Sequence, residues 1–548
     1  MSEEKKIYSY HTFYFPFIWE GTSDKIVKQK DIISYFDSSD YWDKTDIKDF
    51  SNVNTTAALE DEQSRMWLYQ TYQYFHTPAC QAIFGNESDV VHNYQFCTKE
   101  VRRQACYTIK KMIKVEDKSE DKFIEKFYEL DLYAIKLKIF NTGIGILIFE
   151  CENRKHCSIE AVKDINEYGR RITAPFLGSD LCADLLSVSI ENIGTFSFNL
   201  QEKFGKTHAI LHEQTYANYN CIASFILDIL NYKMKKEKFT DNKLESGEKW
   251  YLATALDDRM YVTCLVRDNE FAKSLQAGEV CGNKKDLINS WKYDRFRKNL
   301  YELIFVDRQG FISCPTERMR DEILNKQLYD RWLAYGTAYA VTHHSFFCIT
   351  TTDKKIDGSV INPFLVIYTE MVTLCLAQRS SIISFQRKIA EFTQQMKRHT
   401  SILKNKTTQN LMNLQEDYIA FQNQLQFFEV TSQEQGIELY DMIAEALYIE
   451  KEKQMLMDQM NIAYEAANIN QEFRLTSYAL EISIMALFIA VIGYLSDVLS
   501  GVSSFVALFK RDCTSLSIKS TTIIFFILLI LVIIAVPLFF KYRNKNPR

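Results

Sequence analysis

The sequence predicts a mixed α/β (or α+β) cytoplasmic domain, a long helical stalk and two C-terminal transmembrane helices. Three observations carry that expectation. Strand-like and helix-like segments alternate through the first two thirds of the chain. No proline stands between Pro363 and Pro537, so long helices can run uninterrupted. Ser520 to Phe540 is a stretch of twenty-one residues without a charge.

Composition fits a folded chain. Of 548 residues, 47% are hydrophobic and 14% aromatic, with only 7 prolines and 17 glycines, which favours long regular elements over disordered linkers. The formal charge of −5 gives no basic excess to suggest nucleic acid. The N-terminal residues lack the apolar run of a secretory leader. The 13 cysteines form no Cys-x-x-Cys pair and read as reduced cytosolic thiols.

In chain order, the first segment is residues 1–370, the cytoplasmic ligand-sensing domain. His11 to Trp19 (HTFYFPFIW) predicts a buried strand. Residues 133–151 carry two apolar runs around Asn141-Thr142-Gly143, the chemistry of a β-hairpin turn. Ser158 is placed to cap a helix over IEAVKDINEYGRR. Residues 249–267 predict a second strand pair about Asp257-Asp258-Arg259, and residues 301–313 a further hairpin turning at Asp307-Arg308-Gln309-Gly310.

Polar groups in these segments suggest a binding site. Arg170 and Arg171 are paired guanidiniums, suited to bidentate hydrogen bonding with phosphate. Asp257, Asp258 and Arg259 could contact ribose hydroxyls or a base. Asn141 and Thr142 lie on a loop whose Gly143 permits close backbone approach. Each cluster also has a plainer reading as an internal ion-pair network or a solvated turn. His343-His344 reads as core or surface, His208 and His212 lack a third metal ligand, and Cys151 and Cys157 flank His156 only at weak zinc spacing. No P-loop, Gly-x-Gly-x-x-Gly or Gly-x-Ser-x-Gly is present, and no catalytic constellation is visible, so an enzyme is not expected.

Residues 371–478 form the stalk, a long antiparallel, coiled-coil-like pair. Ile389, Phe392, Met396 and Leu403 lead on to Leu411, Leu414, Tyr418, Phe421, Leu425 and Phe428 at helical spacing. Thr431 to Gly436 is a turn. A second helix then starts near Ile437 and enters the membrane; unbroken to Ser500 it is about 96 Å long. Residues 479–500 are the first membrane helix, 501–519 the external loop, 520–541 the second membrane helix and 542–548 the tail. The tail cations, with Lys541, place both ends in the cytoplasm by the positive-inside rule.

The first membrane helix bears a heptad stripe of small or polar residues: Thr476, Ala479, Ser483, Ala486, Ala490, Gly493, Asp497 and Ser500. Ser483, Ala486, Ala490, Gly493, Asp497 and Ser500 are pore-lining candidates if several copies surround an axis. Equally, small residues let two membrane helices pack closely.

This architecture of cytosolic α/β domain, long helices, terminal membrane hairpin and basic tail resembles the CorA family of divalent-cation channels. That resemblance implies a pentamer whose first membrane helix lines the pore. The family's Gly-Met-Asn signature is absent; the corresponding stretch runs Gly493-Tyr-Leu-Ser-Asp-Val-Leu-Ser-Gly501. Chain length and INEYGRRITAPFL at 165–177 are more similar to the CorA-like membrane effectors of type III CRISPR systems. That implies an antiviral homo-oligomer in a bacterial cytoplasmic membrane, gated by a second messenger joining S-adenosylmethionine to AMP (SAM-AMP), with a divalent cation as a further ligand. A constitutive magnesium or cobalt transporter and a membrane-anchored scaffold without a pore are the competing expectations.

Overall fold

In the computed structural model, described residues run from 6 to 508, apart from 22–28, 40, 46–68, 86–88, 97–104, 117–120, 173–183, 192–207, 211–221, 223, 231–242, 246–248, 281–290, 309, 311 and 399–400. The second membrane helix, the tail and most of the external loop lie outside them. The chain divides into two units, Met1–Ala467 and Asn468–Arg548.

The first unit is a mixed α/β domain built on strand β1 (Ser9–Gly21), the strand expected from HTFYFPFIW. Its side chains alternate faces, as strand geometry requires. Phe13, Phe15, Phe17 and Trp19 enter one core, and Tyr14 and Ile18 the opposite one. The next strands in chain order are β2 (Trp42–Lys44), β3 (Val91–Phe96), β4 (Cys106–Glu116), β5 (Asp121–Phe140) and β6 (Ile144–Asn153). After them come β7 (Asp184–Glu191), β8 (His208–Ile210), β9 (Lys243–Glu245), β10 (Lys249–Thr254) and β11 (Tyr261–Arg267). The set ends with β12 (Leu328–Tyr329), β13 (Ala338–Val341) and β14 (Ser345–Thr350). All belong to one sheet, whose main path is β12-β13-β14-β11-β1-β6-β5-β4-β7-β8.

The hairpin at 133–151 forms as expected: β5 and β6 pair antiparallel across Asn141-Thr142-Gly143, and Gly143 takes φ 85°. The strands at 249–267 also form, but they do not pair with each other. Both lie along one edge of β1, β11 against Ser9–Tyr14 and β10 against Phe17–Gly21. Pro16 sits where the partner changes. Backbone N and C=O of one strand residue face the same side, so its missing N–H falls in the gap between β10 and β11, and its carbonyl accepts from Ala255 N at 3.0 Å.

The helices are α1 (Gln29–Asp37), α2 (Thr77–Phe84), α3 (Ile159–Gly169), α4 (Ser224–Leu230), α5 (Asn269–Val280), α6 (Trp291–Ile304) and α7 (Glu317–Gln327). Longer helices follow: α8 (Thr369–Arg398), α9 (Ser401–Leu425), α10 (Glu434–Ala446) and α11 (Ile449–Leu508). The hairpin expected at 301–313 is corrected by α6. Leu300, Leu303 and Ile304 are buried together at helical spacing, and this stripe overrides the strand-like composition of YELIFV.

The long helices expected as a stalk follow the α/β domain, and their apolar partner surface is the sheet. Met371, Phe385, Tyr418, Phe421, Leu439 and Met460 share one core with Tyr14, Ile144 and Ile148. The helical run expected from Ile389 to Phe428 is two helices, with Gln378 Nε2 donating to Leu425 O at 2.6 Å and the Phe385 ring 5.5 Å from Phe421. The last helix is not continuous from Ile437 either. It breaks at Tyr448, which holds φ 56°, between α10 and α11.

In the second unit α11 continues to Leu508, eight residues past Ser500. Among the described residues two helical segments are long and apolar enough to cross a bilayer. Lys354–Gln395 has 72% of its apolar window buried inside the fold, whereas the window in Ile449–Val498, mean hydropathy 2.0, has none buried. The latter is the candidate membrane span.

Candidate functional site

The site is built at the C-terminal end of α3. Ser158 caps the helix, its Oγ accepting from Ala161 N at 3.1 Å, as the sequence led us to expect. At the other end Gly169 lets α3 lie directly on β1: a Cβ there would stand 2.7 Å from Phe13 Cζ. Tyr107 Oη donates to Gly169 O at 2.6 Å, and Met260 N to Arg170 O at 2.8 Å. Arg171 and Arg259 are bridge partners. The α3 end and the loop before β11 are thereby joined through their backbones.

Three guanidiniums converge on one carboxylate. Arg170 donates through Nε (3.1 Å) and Nη2 (2.9 Å) to Glu167 Oε2. Arg171 Nη2 donates to Glu167 Oε1, and Arg259 Nη1 lies 3.9 Å from the same oxygen. Glu167 and Arg170 are buried. Burial alone would raise Glu167, but Arg170, Arg171 and Arg259 outweigh it and hold the carboxyl below its usual range. Burial pulls Arg170 down from its ordinary value; Glu167 opposes that, and the neighbouring Arg259 and Arg171 add to it. Nε of Arg171 and Nε of Arg259 are buried and have no hydrogen-bond partner among the described residues.

The two aspartates complete the cluster. Asp257 Oδ1 accepts from Asp258 N at 2.7 Å, and Asp258 Oδ1 lies 3.7 Å from Arg259 Nε. Burial and the adjacent Asp257 push Asp258 up. Asp257 goes the other way: burial opposes, but hydrogen bonds from Asp258, then Arg259 and His344, bring it down. Three cations therefore face three acids. The acids differ in burial and affinity for protons, so an incoming anion would compete with Glu167 for guanidiniums that already converge.

Arg170, Arg171, Asp257, Asp258 and Arg259 are thus brought together. Asn141 and Thr142 are not part of this cluster. They sit at the β5–β6 turn and tie it to the helices: Asn141 Nδ2 donates to Gln424 Oε1 at 2.5 Å, and Thr142 Oγ1 is 2.7 Å from Ser381 Oγ. Glu167 escaped notice in the sequence, although its spacing of three and four residues from Arg170 and Arg171 is that of helical ion pairs.

His208 lies in strand β8, not on a helix, and His212 is outside the described residues. His156 Nε2 accepts from Glu129 N at 3.0 Å, Cys151 is buried in β6 and Cys157 is exposed. Among the described residues no three His, Cys, Asp or Glu side chains are grouped to hold a metal.

Ser483, Ala486, Ala490, Gly493, Asp497 and Ser500 all lie on α11 and are exposed in the single chain. The hydroxyls are satisfied within the helix: Ser483 Oγ donates to Ala479 O at 2.7 Å and Ser500 Oγ to Asp497 O at 2.8 Å. A Cβ at Gly493 would meet nothing within 4 Å. The stripe is therefore available to another helix or to an axis shared between copies.

Comparisons of the chain with protein-family models, curated proteins and solved structures return no match.

Proposed function

We propose that this chain is an oligomeric, CorA-like membrane effector whose α/β domain binds a phosphate-bearing nucleotide messenger at the arginine cluster. SAM-AMP, the messenger of type III CRISPR defence, is the ligand we assign, and loss of membrane integrity or ion gradients is the output. The observation that carries the reading is the convergence of Arg170, Arg171 and Arg259 on Glu167, with two guanidinium Nε groups left without a hydrogen-bond partner among the described residues. A phosphoryl group offers several acceptor oxygens where Glu167 offers two.

The membrane half of the proposal rests on the unburied apolar window of α11 and on the uncharged run Ser520 to Phe540. Two spans with both ends in the cytoplasm follow from the tail cations. A pentamer, with α11 lining the axis through Ser483, Ala486, Ala490, Gly493, Asp497 and Ser500, follows from the family resemblance. A ligand moves a channel only by binding its states unequally, and α11 is the element whose chain runs from the first unit into the apolar window.

Liposomes holding the purified protein test this directly. Dye release that requires SAM-AMP supports a gated effector. Release without it points to a constitutive channel, and no release alongside calorimetric binding points to an anchored scaffold. Absence of binding overturns the ligand assignment.

A further inference from the structure

The α10–α11 break is not marked by glycine or proline, yet it is sharply defined. Tyr448 takes a left-handed φ of 56°, a conformation that costs a non-glycine residue about 1 kcal/mol or more. Tyr448 N donates to Glu445 O and Glu452 N to Tyr448 O, each at 3.0 Å, so α10 ends and α11 begins on this one residue. What packs against it is the turn between β13 and β14. The His343 ring lies 5.6 Å from the Tyr448 ring, tilted 46° to it.

His343 Nδ1 stands within hydrogen-bond distance of two groups that require opposite things of it. Arg379 Nη1 on α8 is 3.0 Å away and can only donate. Ala446 O, the last carbonyl of α10, is 3.2 Å away and can only accept. A bare Nδ1 serves the arginine; a protonated Nδ1 serves the carbonyl; one atom cannot serve both. The arginine has a second place to go. Glu452, in the first turn of α11, lies 3.8 Å from Arg379 Nη2. Both Arg379 Nε and Glu452 Oε2 are buried and lack hydrogen-bond partners among the described residues.

The same turn touches the arginine cluster. His344 O accepts from Val262 N at 3.1 Å, two residues after Met260, whose amide holds Arg170 O. His344 feels Arg170, Arg259 and Asp257, and Asp257 also lies within electrostatic reach of His343 and Arg379. The groups facing His343 are therefore Arg379, Asp257, His344 and Tyr448, with Glu452 reached through Arg379.

We propose that the Thr342–His344 turn is a relay with two settings, linking the arginine cluster to the α10–α11 break through His343. In one setting Arg379 donates to Nδ1, the imidazole proton is on Nε2, and Ala446 O goes without this bond. In the other Arg379 closes on Glu452, the proton moves by solvent exchange to Nδ1, and His343 caps α10. The imidazole is neutral in both, so no net proton is gained or lost. An anion that draws Arg259 away from Asp257 changes the field on Arg379 and so selects the setting. The direction of that last step rests on the ligand reading given above; the two settings do not.

Backbone hydrogen–deuterium exchange of full-length protein in detergent tests the relay in two arms. Without ligand, Arg379→Gln, whose shorter side chain does not reach Nδ1, withdraws the competing donor, and exchange across Leu447–Glu452 slows by about threefold or more, the scale set by one added hydrogen bond. His343→Leu abolishes that slowing in the double variant. Unchanged exchange at 447–452 in Arg379→Gln overturns the proposal, provided β1 and β6 peptides remain as protected as in the parent. If those peptides lose protection, Arg379→Met, which keeps alkyl packing and carries no donor, replaces it, and unchanged exchange at 447–452 again overturns the proposal. In the second arm, SAM-AMP changes exchange at 447–452 in the parent but not in His343→Leu, while calorimetry shows that both bind. Binding without any change at 447–452 sinks the coupling. No binding sinks the ligand reading and leaves the first arm to decide the relay.

Discussion

Replacing Glu167 by Gln should cost about 3 kcal/mol and should make the protein respond to phosphate. The carboxylate is 7% exposed and Arg170 is 4% exposed, so neither can recruit much water when its partner is lost. Removing one member of a buried pair typically costs about 3–5 kcal/mol. The amide keeps one acceptor oxygen, which places the change at the lower end. It also leaves Arg170, Arg171 and Arg259 without their shared counter-charge. With an unfolding entropy of about 2.1 cal/mol/K per residue, the unit ending at Ala467 should lose about 3 °C in its thermal midpoint. Phosphate should then restore much of that loss, since a ligand at about a hundred times its Kd adds about 2.7 kcal/mol. Phosphate also stabilises proteins non-specifically. The decisive quantity is therefore the extra midpoint gain of Glu167→Gln over the parent across a phosphate series, with Glu167→Gln/Arg170→Gln as control. A variant that melts within about 1 °C of the parent, with the same phosphate response, would refute the view that Glu167 occupies an anion site.

Tyr448→Gly should stabilise the first unit by about 0.5–1 kcal/mol, because glycine adopts φ 56° freely and the ring is 54% exposed; Tyr448→Val should destabilise it, and denaturant unfolding separates the two. Gly169→Ala pushes α3 off Phe13 and should cost about 1–3 kcal/mol, with weaker messenger binding by calorimetry because Arg170 and Arg171 move with the helix. Buried His11 carries an acid limb. Burial lowers its pKa to about 4 from 6.5, so its contribution is complete above pH 6.5 and is lost as the pH falls toward 4, about 2 kcal/mol being gone at pH 5. Denaturant unfolding at pH 7 and pH 5 measures that difference, and His11→Gln should flatten it. Asp497→Asn and Ala490→Leu should each cut SAM-AMP-dependent dye release severalfold if the stripe lines a pore, whereas a scaffold releases no dye in parent or variant.

What was legible in the sequence is what local chemistry decides. Phe13, Phe15, Phe17 and Trp19 alternate with Tyr14 and Ile18, and that alternation alone places β1 between two cores. Gly143 and Ser158 each act on neighbours within three residues, and the hairpin and the helix form where they stand. Pairing over distance was not legible. Residues 249–267 contain two strands separated by a turn-like loop, which in isolation is a hairpin pattern; only the length of β1 and the proline at its centre let one strand hold both. Pro16, which first reads as a flaw in a central strand, is the residue that tells where its partner changes. The same division explains the site. Arg170 and Arg171 can be noticed by adjacency, and Glu167 by helical spacing, but Arg259 arrives from 88 positions later through a backbone bridge no local pattern encodes. The break at Tyr448 is the extreme case. Its sequence, Glu445 to Glu450, has no helix breaker, and the left-handed turn is met from outside the two helices by His343, beside Ala446 O, and by Arg379, beside Glu452. A break held by tertiary contacts can be released by them, whereas one made by proline cannot. That difference makes Tyr448 the place where the proposed ligand-dependent motion would enter α11, and it is why a sequence that looks like one continuous helix can still contain a joint.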